Sequence, residues 1–250
     1  MYMPTIGIIG GSGLDNPDII KDATTLRVDT PYGNPSSLLR VGTIGSNRVI
    51  ILARHGHSHE YSPTEVNYRA NIYALKYQGA DCIIATTACG SLRAEIERGD
   101  FVLLDQFIDF TRKRINTYHE SFASGAVHTP MADPFDSALR AHILDCAGRV
   151  GVKCHPRGTV VTIEGPRFST RAESMMFRSW GADVINMSVA TEVALANELA
   201  IPYAAIAMST DYDCWKTDEP PVSWEEIVRI FEQNAQRMIA LLRMVVETLK

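Results

Sequence analysis

Two carboxylates one residue apart, Asp211 and Asp213, follow the apolar run Ala204 to Met208 and the hydroxyls Ser209 and Thr210. In extended chain, side chains two apart project to the same face, so the pair is expected to address one ligand together. Two acceptors side by side suit a ligand edge rich in N–H donors, such as the 6-amino group and protonated N7 of an adenine. An isolated pair of this kind is more often a turn or helix cap beside a solvated charge. Polar groups at the ends of other apolar runs reverse that judgement.

The run Ile6 to Ile9 empties into Gly10-Gly11-Ser12-Gly13-Leu14. Glycines admit an anion close to the backbone, where N–H groups and the Ser12 hydroxyl donate to it. The loop lacks the Lys of a Walker motif and has Asn16 where a dinucleotide fingerprint needs Gly, so by itself it is equally a tight turn. After Val49 to Ala53 comes Arg54, whose planar fork of donors suits an oxyanion. His55, His57 and His59 follow at alternate positions and raise a metal site as a rival to a solvated His-rich loop. Thr86 to Ser91 repeats the pattern of hydroxyls and a glycine at a strand end, and Met187-Ser188 repeats it again. Phe168, beside the turn Gly165-Pro166, is placed to stack on a flat ring or to act as a hydrophobic staple.

Short, nearly continuous apolar runs alternate with helical patterns, which argues a largely parallel α/β sheet. Ser62-Pro63-Thr64-Glu65 reads as a capping box opening a helix that Gly79 ends. Phe101 to Ile108 reads as one strand, and 111–134 as an irregular excursion carrying His119 and His128. Helices are expected from Asp136 to Val150, from Thr170 onward, from Val193 to Leu199, and from Ser223 to the C-terminus. The last carries an apolar stripe from Ile227 to Leu249 that must face core or an interface. In such sheets ligands gather at the carboxyl ends of strands, where Ser12, Arg54, His55, Thr87, Phe168, Ser188 and the Asp pair all fall.

The fold expected is a single α/β domain over residues 1–250, with a central mixed, largely parallel sheet flanked by helices. At 46% hydrophobic and with no linker or repeat, 250 residues supply core enough for it. A net charge of −5 excludes a general nucleic-acid binder, which needs a concentrated basic face. No apolar run approaches the roughly 18 residues that span a bilayer, and the chain opens without a signal-peptide pattern, so a cytoplasmic protein with no membrane partner is expected. Five cysteines at irregular spacing, with no C-x-x-C pair, read as reduced thiols.

The motifs Gly10-Gly11-Ser12-Gly13-Leu14, Arg54-His55-Gly56, Val66-Asn67-Tyr68, Thr86 to Ser91, Glu164-Gly165-Pro166-Arg167-Phe168 and Thr210 to Trp215 resemble the methylthioadenosine-cleaving branch of the trimeric purine nucleoside phosphorylase family. The resemblance runs from about Ile6 to the final helix. It implies phosphate held by Ser12, Arg54, His55, Thr87, Ala88 and Ser188. It places Met187 under the ribose, Phe168 near the base, and Asp211 and Asp213, with Tyr212 between them, at N7 and N6. Ser169 and Trp224 fall where substrate choice is tuned, and His128 where a residue is lent across a subunit interface. Ser188 stands for a usual Thr, Thr191-Glu192 for a usual Pro-Glu, which is expected to touch turn geometry alone, and Trp224 is bulkier than expected.

The activity implied is phosphorolysis of 5′-methylthioadenosine to adenine and 5-methylthioribose 1-phosphate. Inorganic phosphate is the co-substrate, with no metal or organic cofactor, in a homo-oligomer that is a trimer or a hexamer built as a dimer of trimers. Breaking an N-glycosidic bond builds positive charge on the ribose and negative charge on the base, and the chemistry must serve both. Asp211, easily protonated beside Asp213, is the candidate proton donor at N7. The rivals are a broader purine nucleoside phosphorylase accepting adenosine, a metal-dependent nucleoside hydrolase or deaminase using the three His, and a nucleotide sensor without turnover.

Overall fold

Strand β1 (Thr5–Gly10) begins the computed structural model, which describes residues 3–10, 20–219 and 222–250. It is followed by β2 (Lys21–Leu26), β3 (Leu39–Ile44), β4 (Asn47–Ala53), helix α1 (Tyr68–Tyr77) and β5 (Cys82–Ser91). The middle of the chain supplies β6 (Phe101–Leu103), β7 (Gln106–Phe110), α2 (Ser137–Val150), β8 (Cys154–His155) and β9 (Thr159–Ile163). The last part supplies α3 (Arg171–Ser179), β10 (Val184–Asn186), α4 (Val189–Glu198), β11 (Tyr203–Asp211) and α5 (Trp224–Thr248).

The strands form one mixed sheet. Its main path is β2-β3-β4-β1-β5-β10-β9-β7, and β11 joins β5 to β6 and through it to β8. Parallel pairs link β1 to β4 and β5, β5 to β11, β9 to β10 and β7, and β6 to β8. Antiparallel pairs occur at β2/β3, β3/β4, β5/β10 and β6/β11. The largely parallel α/β domain expected from the sequence is the one observed.

Strand β5 is the hinge of the topology. On one edge its residues Cys82 to Ala85 pair with β1, but Gly90 and Ser91 pair with β10. Between these stretches, among the described residues, that edge has no strand neighbour, which opens the sheet where ligands bind in α/β folds. The other edge stays bonded to β11 from Ile83 to Gly90.

Two hydrophobic layers sandwich the sheet. On one face Ile6, Ile8, Ile84 and Ile206 pack against Leu139 and Ile143 of α2 and Met238, Leu242 and Val245 of α5. On the other, Ile9, Ile83 and Ala85 pack against Ile72 and Leu75 of α1 and Val189 and Val193 of α4. Each fully buried side chain of this size contributes about 1.5–3 kcal/mol. A smaller cluster of Leu92, Val161, Ile163 and Ala182 receives Phe177 of α3. No helix among the described residues is long and apolar enough to cross a membrane.

Several boundaries differ from the sequence pattern. Glu65 does reach back to the Ser62 N–H at 3.1 Å, but the turn is not continued, and Asn67 caps α1 by accepting from Ala70 N at 3.2 Å. The expected strand over 101–108 is two, because Leu104 N binds Ala205 O and Asp105 N binds Gly158 O, carrying the chain from β11 over to β9. Helix α4 starts at Val189, four residues before the pattern suggested. Elsewhere the caps behave as read: Asp136 on Leu139 N, the Thr170/Glu173 capping box, Ser223 on Glu226 N, and Gly151 in the left-handed region.

Candidate active site

One cavity opens where β5 changes partner. It is lined from five directions: Arg54 and His55 after β4, Thr87 to Gly90 on β5, Phe168 and Ser169 before α3, Asn186 to Ser188 between β10 and α4, and Asp211 and Asp213 after β11. The start of α5 closes it with Trp224, Ile227, Val228 and Phe231. Sequence reading placed these groups at strand ends; the structure brings them into one space.

On one side stand the anion-binding candidates. Arg54 is 1% exposed, and its guanidinium is held by three bonds. Nε and Nη2 donate to Glu192 Oε1 and Oε2 at 2.5 and 3.0 Å, and Nη1 donates to the Thr86 carbonyl at 2.9 Å. That carbonyl lies on the stretch of β5 with no strand neighbour, so Arg54 satisfies a backbone acceptor the sheet leaves open. Glu192 also accepts from the Tyr203 hydroxyl at 2.7 Å. Burial alone would lower the Arg54 pKa, but the Glu192 charge and hydrogen bonds more than offset it and raise the net value. An arginine has five N–H donors, so two remain for an oxyanion.

His55 is neutral at physiological pH. Burial, reinforced by the Arg54 charge, pushes its pKa down to about 4, although its bond to Tyr61 acts the other way. Its Nδ1 lies 2.9 Å from the Tyr61 carbonyl, which can only accept. The proton therefore sits on Nδ1, and Nε2 is an acceptor for a hydroxyl of phosphate or ribose. Ser188 is the N-cap of α4 yet makes no side-chain capping bond, which leaves its hydroxyl available to an anion, while Ala190 N on the first turn donates to Thr162 Oγ1 at 3.1 Å. Asn186 Nδ2 approaches Thr87 Oγ1 at 3.4 Å, and Asn186 Oδ1 accepts from the Thr162 hydroxyl at 2.8 Å. Ala88 lines the cavity beside Thr87. Ser12 and its glycine loop lie outside the described residues.

On the other side is the acid pair. Asp211 ends β11, and Asp213 has φ +49°, so the two are not adjacent positions of one extended strand as expected. A turn brings them together, in which Asp213 N donates to Asp211 Oδ1 at 2.7 Å. Gly90 makes room, since a Cβ there would stand 2.9 Å from Asp211 Oδ1 and 3.4 Å from Asp213 Cβ. Burial raises the Asp211 carboxyl to about 6, and the Asp213 charge adds to this, against the opposing bonds from Asp213 N and Thr210. The Thr210 hydroxyl has one proton for two acceptors, Asp211 Oδ2 at 2.9 Å and Cys89 O at 3.2 Å. A protonated Asp211 resolves that conflict by donating to Thr210, which then serves Cys89. Burial also raises Asp213, with Ser174 and Ser169 close by in opposition. Neither serine reaches hydrogen-bonding geometry: Asp213 Oδ2, Ser169 Oγ and Ser174 Oγ are each buried without a partner. Of the three, Asp213 Oδ2 is a pure acceptor on the cavity-lining pair and can take a donor from a ligand, whereas the two hydroxyls are donors themselves.

Not every candidate lines the cavity. Tyr212 faces away, its ring packed between Arg98 at 5.4 Å and Lys216 at 4.0 Å, and both cations are clasped by Glu219. The Tyr212 ring packs in the loop behind the acid pair, outside the residues that line the cavity. His128 sits on an exposed segment against Phe122, with ring centres 5.3 Å apart, and does not line this chain's own cavity. Trp224, half exposed, meets His59 at 5.1 Å, and His59 stacks on His55 at 4.5 Å. Among the described residues no three His, Cys, Asp or Glu are grouped to hold a metal ion.

Glu192 is a site residue to which the sequence pattern assigns no role, and it orients Arg54 across 138 residues of chain. The available signal was an acid on the first turn of a helix whose neighbours are Val189, Ala190, Val193 and Leu195. A charge on a buried face needs a buried partner.

A family model described as the Phosphorylase superfamily matches residues 5–247. The S-methyl-5′-thioadenosine phosphorylases of Danio rerio and Xenopus tropicalis are 54% and 53% identical to this chain, over 95% of it and 86% of each relative. The solved structure of methylthioadenosine phosphorylase from Schistosoma mansoni in complex with adenine matches with TM-score 0.93 and 39% identity, covering 97% of this chain and 91% of that one. A mutant of the same organism's adenosine/methylthioadenosine phosphorylase in complex with methylthioadenosine matches with TM-score 0.92 and 38% identity, over 97% and 90% of the two chains. The similarity runs from β1 into the last turn of α5, through every segment described above as lining the cavity, and the chain belongs to the phosphorylase superfamily.

Proposed function

We propose that the protein catalyses phosphorolysis of S-methyl-5′-thioadenosine, releasing adenine and 5-methylthioribose 1-phosphate. The observation that carries this reading is that Arg54 and the pair Asp211/Asp213 line one cavity, so an oxyanion and a purine fit within reach of a common sugar. The names of relatives more than half identical over most of the chain support the same reaction and substrate.

In this reading the two spare N–H groups of Arg54, the Thr87 and Ser188 hydroxyls, the backbone near Ala88 and the Ser12 loop hold phosphate, with His55 accepting from its hydroxyl. A phosphate oxygen attacks C1′ while the C1′–N9 bond breaks and its electron pair passes to the base. Asp211 gives its proton to N7, so the base leaves neutral. Asp213 accepts from the 6-amino group through its unpartnered oxygen. Met187 lies against the ribose, Phe168 flanks the base, and Ser169 and Trp224 tune what enters. The same reading makes the protein a cytoplasmic homo-oligomer, a trimer or a dimer of trimers, that needs no metal or organic cofactor. The exposed His128, beside Phe122 and Val127, is then lent to a neighbour's cavity.

Turnover of methylthioadenosine with and without phosphate, each with and without chelator, is the test. Adenine release that requires phosphate and ignores chelator is expected; release that ignores phosphate and stops with chelator would turn the assignment to a metal-dependent hydrolase. The Schistosoma relative's name includes adenosine, so kcat/KM for 5′-methylthio and 5′-hydroxyl substrates measures how broad the activity is.

A further inference from the structure

The irregular segment 111–134 contains a buried cation that the reaction does not use. The Arg114 side chain is 1% exposed, and its guanidinium makes four contacts within the fold. Nε donates to Glu164 Oε1 at 3.1 Å, and Nη2 donates to the Glu164 carbonyl at 2.8 Å. Nη1 donates to the Met187 carbonyl at 2.9 Å and to the Tyr68 hydroxyl at 2.8 Å. Glu164 is itself fastened by Thr64 Oγ1 and by the N–H groups of Arg112 and Lys113.

The two carbonyls that Arg114 grips flank a close approach at the cavity wall. Glu164 immediately precedes Gly165, which has φ +67° and lies so close to Met187 that a Cβ would stand 2.4 Å from the sulfur. Met187 lines the cavity, Ser188 follows it, and Phe168 and Ser169 end the turn that Gly165 begins. The separation of these two cavity walls is thus set by one planar fork with donors on both. Tyr68 donates to the Pro63 carbonyl at 3.0 Å, which ties a further lining residue to the same clamp.

We propose that Arg114 is a positioning residue that fixes the distance between the Met187–Ser188 wall and the Glu164–Ser169 turn, and thereby the fit of the nucleoside between them. The proposal rests on the phosphorolysis reading for its kinetic test. A lysine has no planar fork to bridge the two carbonyls, and a methionine keeps the bulk but loses every donor.

The experiment compares Arg114→Met, Arg114→Lys and the surface control Arg112→Met, each melted to establish that it is folded at the assay temperature. Expected for both Arg114 variants is a nucleoside KM raised about tenfold or more, with kcat falling less, and adenine affinity by calorimetry lowered in parallel; Arg112→Met stays within about twofold of wild type. Both Arg114 variants melting lower with the nucleoside KM and adenine affinity unchanged would overturn the proposal, since that is the signature of stability alone. If Arg114→Met does not fold, Arg114→Lys is decided on the same criteria. Wild-type protein that releases no adenine with phosphate would sink the phosphorolysis reading instead, and the clamp would then be judged on adenine affinity.

Discussion

Replacing Glu192 by Gln tests the claim that the anion side of the cavity depends on a buried ion pair. Both side chains are almost fully buried, at 2% and 1% exposure. The amide keeps one acceptor for Arg54 Nε but turns an N–H toward Nη2, and Tyr203 must reverse its hydroxyl to accept instead of donate. Arg54 is left charged in a site that no longer balances it. Removing one partner of such a pair typically costs about 3–5 kcal/mol. For a domain of this size that corresponds to a fall in Tm of roughly 6–20 °C. The guanidinium retains its bonds from Nη1 to Thr86 O and from Nε to the amide oxygen but loses the one from Nη2, so it is free to tilt and its spare donors lose their aim. The phosphate KM should rise about tenfold, equivalent to about 1.4 kcal/mol of lost orientation, while the nucleoside KM moves less than about threefold. Thermal melts and initial rates against each substrate measure both quantities. A folded variant with the wild-type melting temperature, or with an unaltered phosphate KM, would refute the reasoning.

The raised Asp211 carboxyl predicts two pH effects. Its acid form is lost as pH rises through about 6, so kcat/KM should fall along an alkaline limb that begins there, and Asp211→Asn should abolish both the limb and most turnover of 6-amino substrates while relatively favouring 6-oxo ones. Because the folded pKa exceeds the unfolded one, burying the charged form costs stability above pH 6; the variant should therefore melt higher than wild type there and lose that advantage below about pH 4. Equal activity loss on both substrate classes would count against the assigned role. Gly165→Ala places a residue at φ +67° and its Cβ against the Met187 sulfur, and is expected to cost about 1–2 kcal/mol in backbone strain and to raise the nucleoside KM. An unchanged KM in that variant would mean that Met187 does not shape the site. For His128→Ala, hybrid oligomers formed by mixing with Asp211→Asn should recover activity that neither variant has alone; no recovery on mixing would leave His128 outside the neighbour's cavity.

What the sequence made legible is what depends on neighbours along the chain. Apolar runs such as Val49 to Ala53 and Cys82 to Ala85 became strands, and Asp136, Thr170 and Ser223 became caps, because period and cap chemistry are local. The polar residues at the run ends were legible as a site because a parallel sheet collects them at one edge. The Asp pair was identified for the wrong geometric reason, since a left-handed turn at Asp213, and no strand alternation, joins it to Asp211. Glu192 and Arg114 were not legible as positioning groups, because their partners stand 138, 50 and 73 residues away and no spacing encodes such distances. Tyr212 lies inside the motif of the Asp pair, and the packing of its ring on Lys216 was likewise not encoded in the spacing.

The altered pairing along β5 has a consequence for how selectivity is built. Thr87, Ala88 and Gly90 ride on a strand whose far edge is fully bonded to β11, so that floor is a fixed template that cannot mould itself around a guest. The segments before α3, around His59 and leading into α5 stand outside the sheet and carry Phe168, Ser169 and Trp224. In the proposed reading, recognition is divided between this sheet-bound surface, which reads what all nucleosides and phosphate have in common, and rims outside the sheet, which read how one nucleoside differs from the next. Changes of taste are open to this scaffold without disturbing the atoms that break the bond.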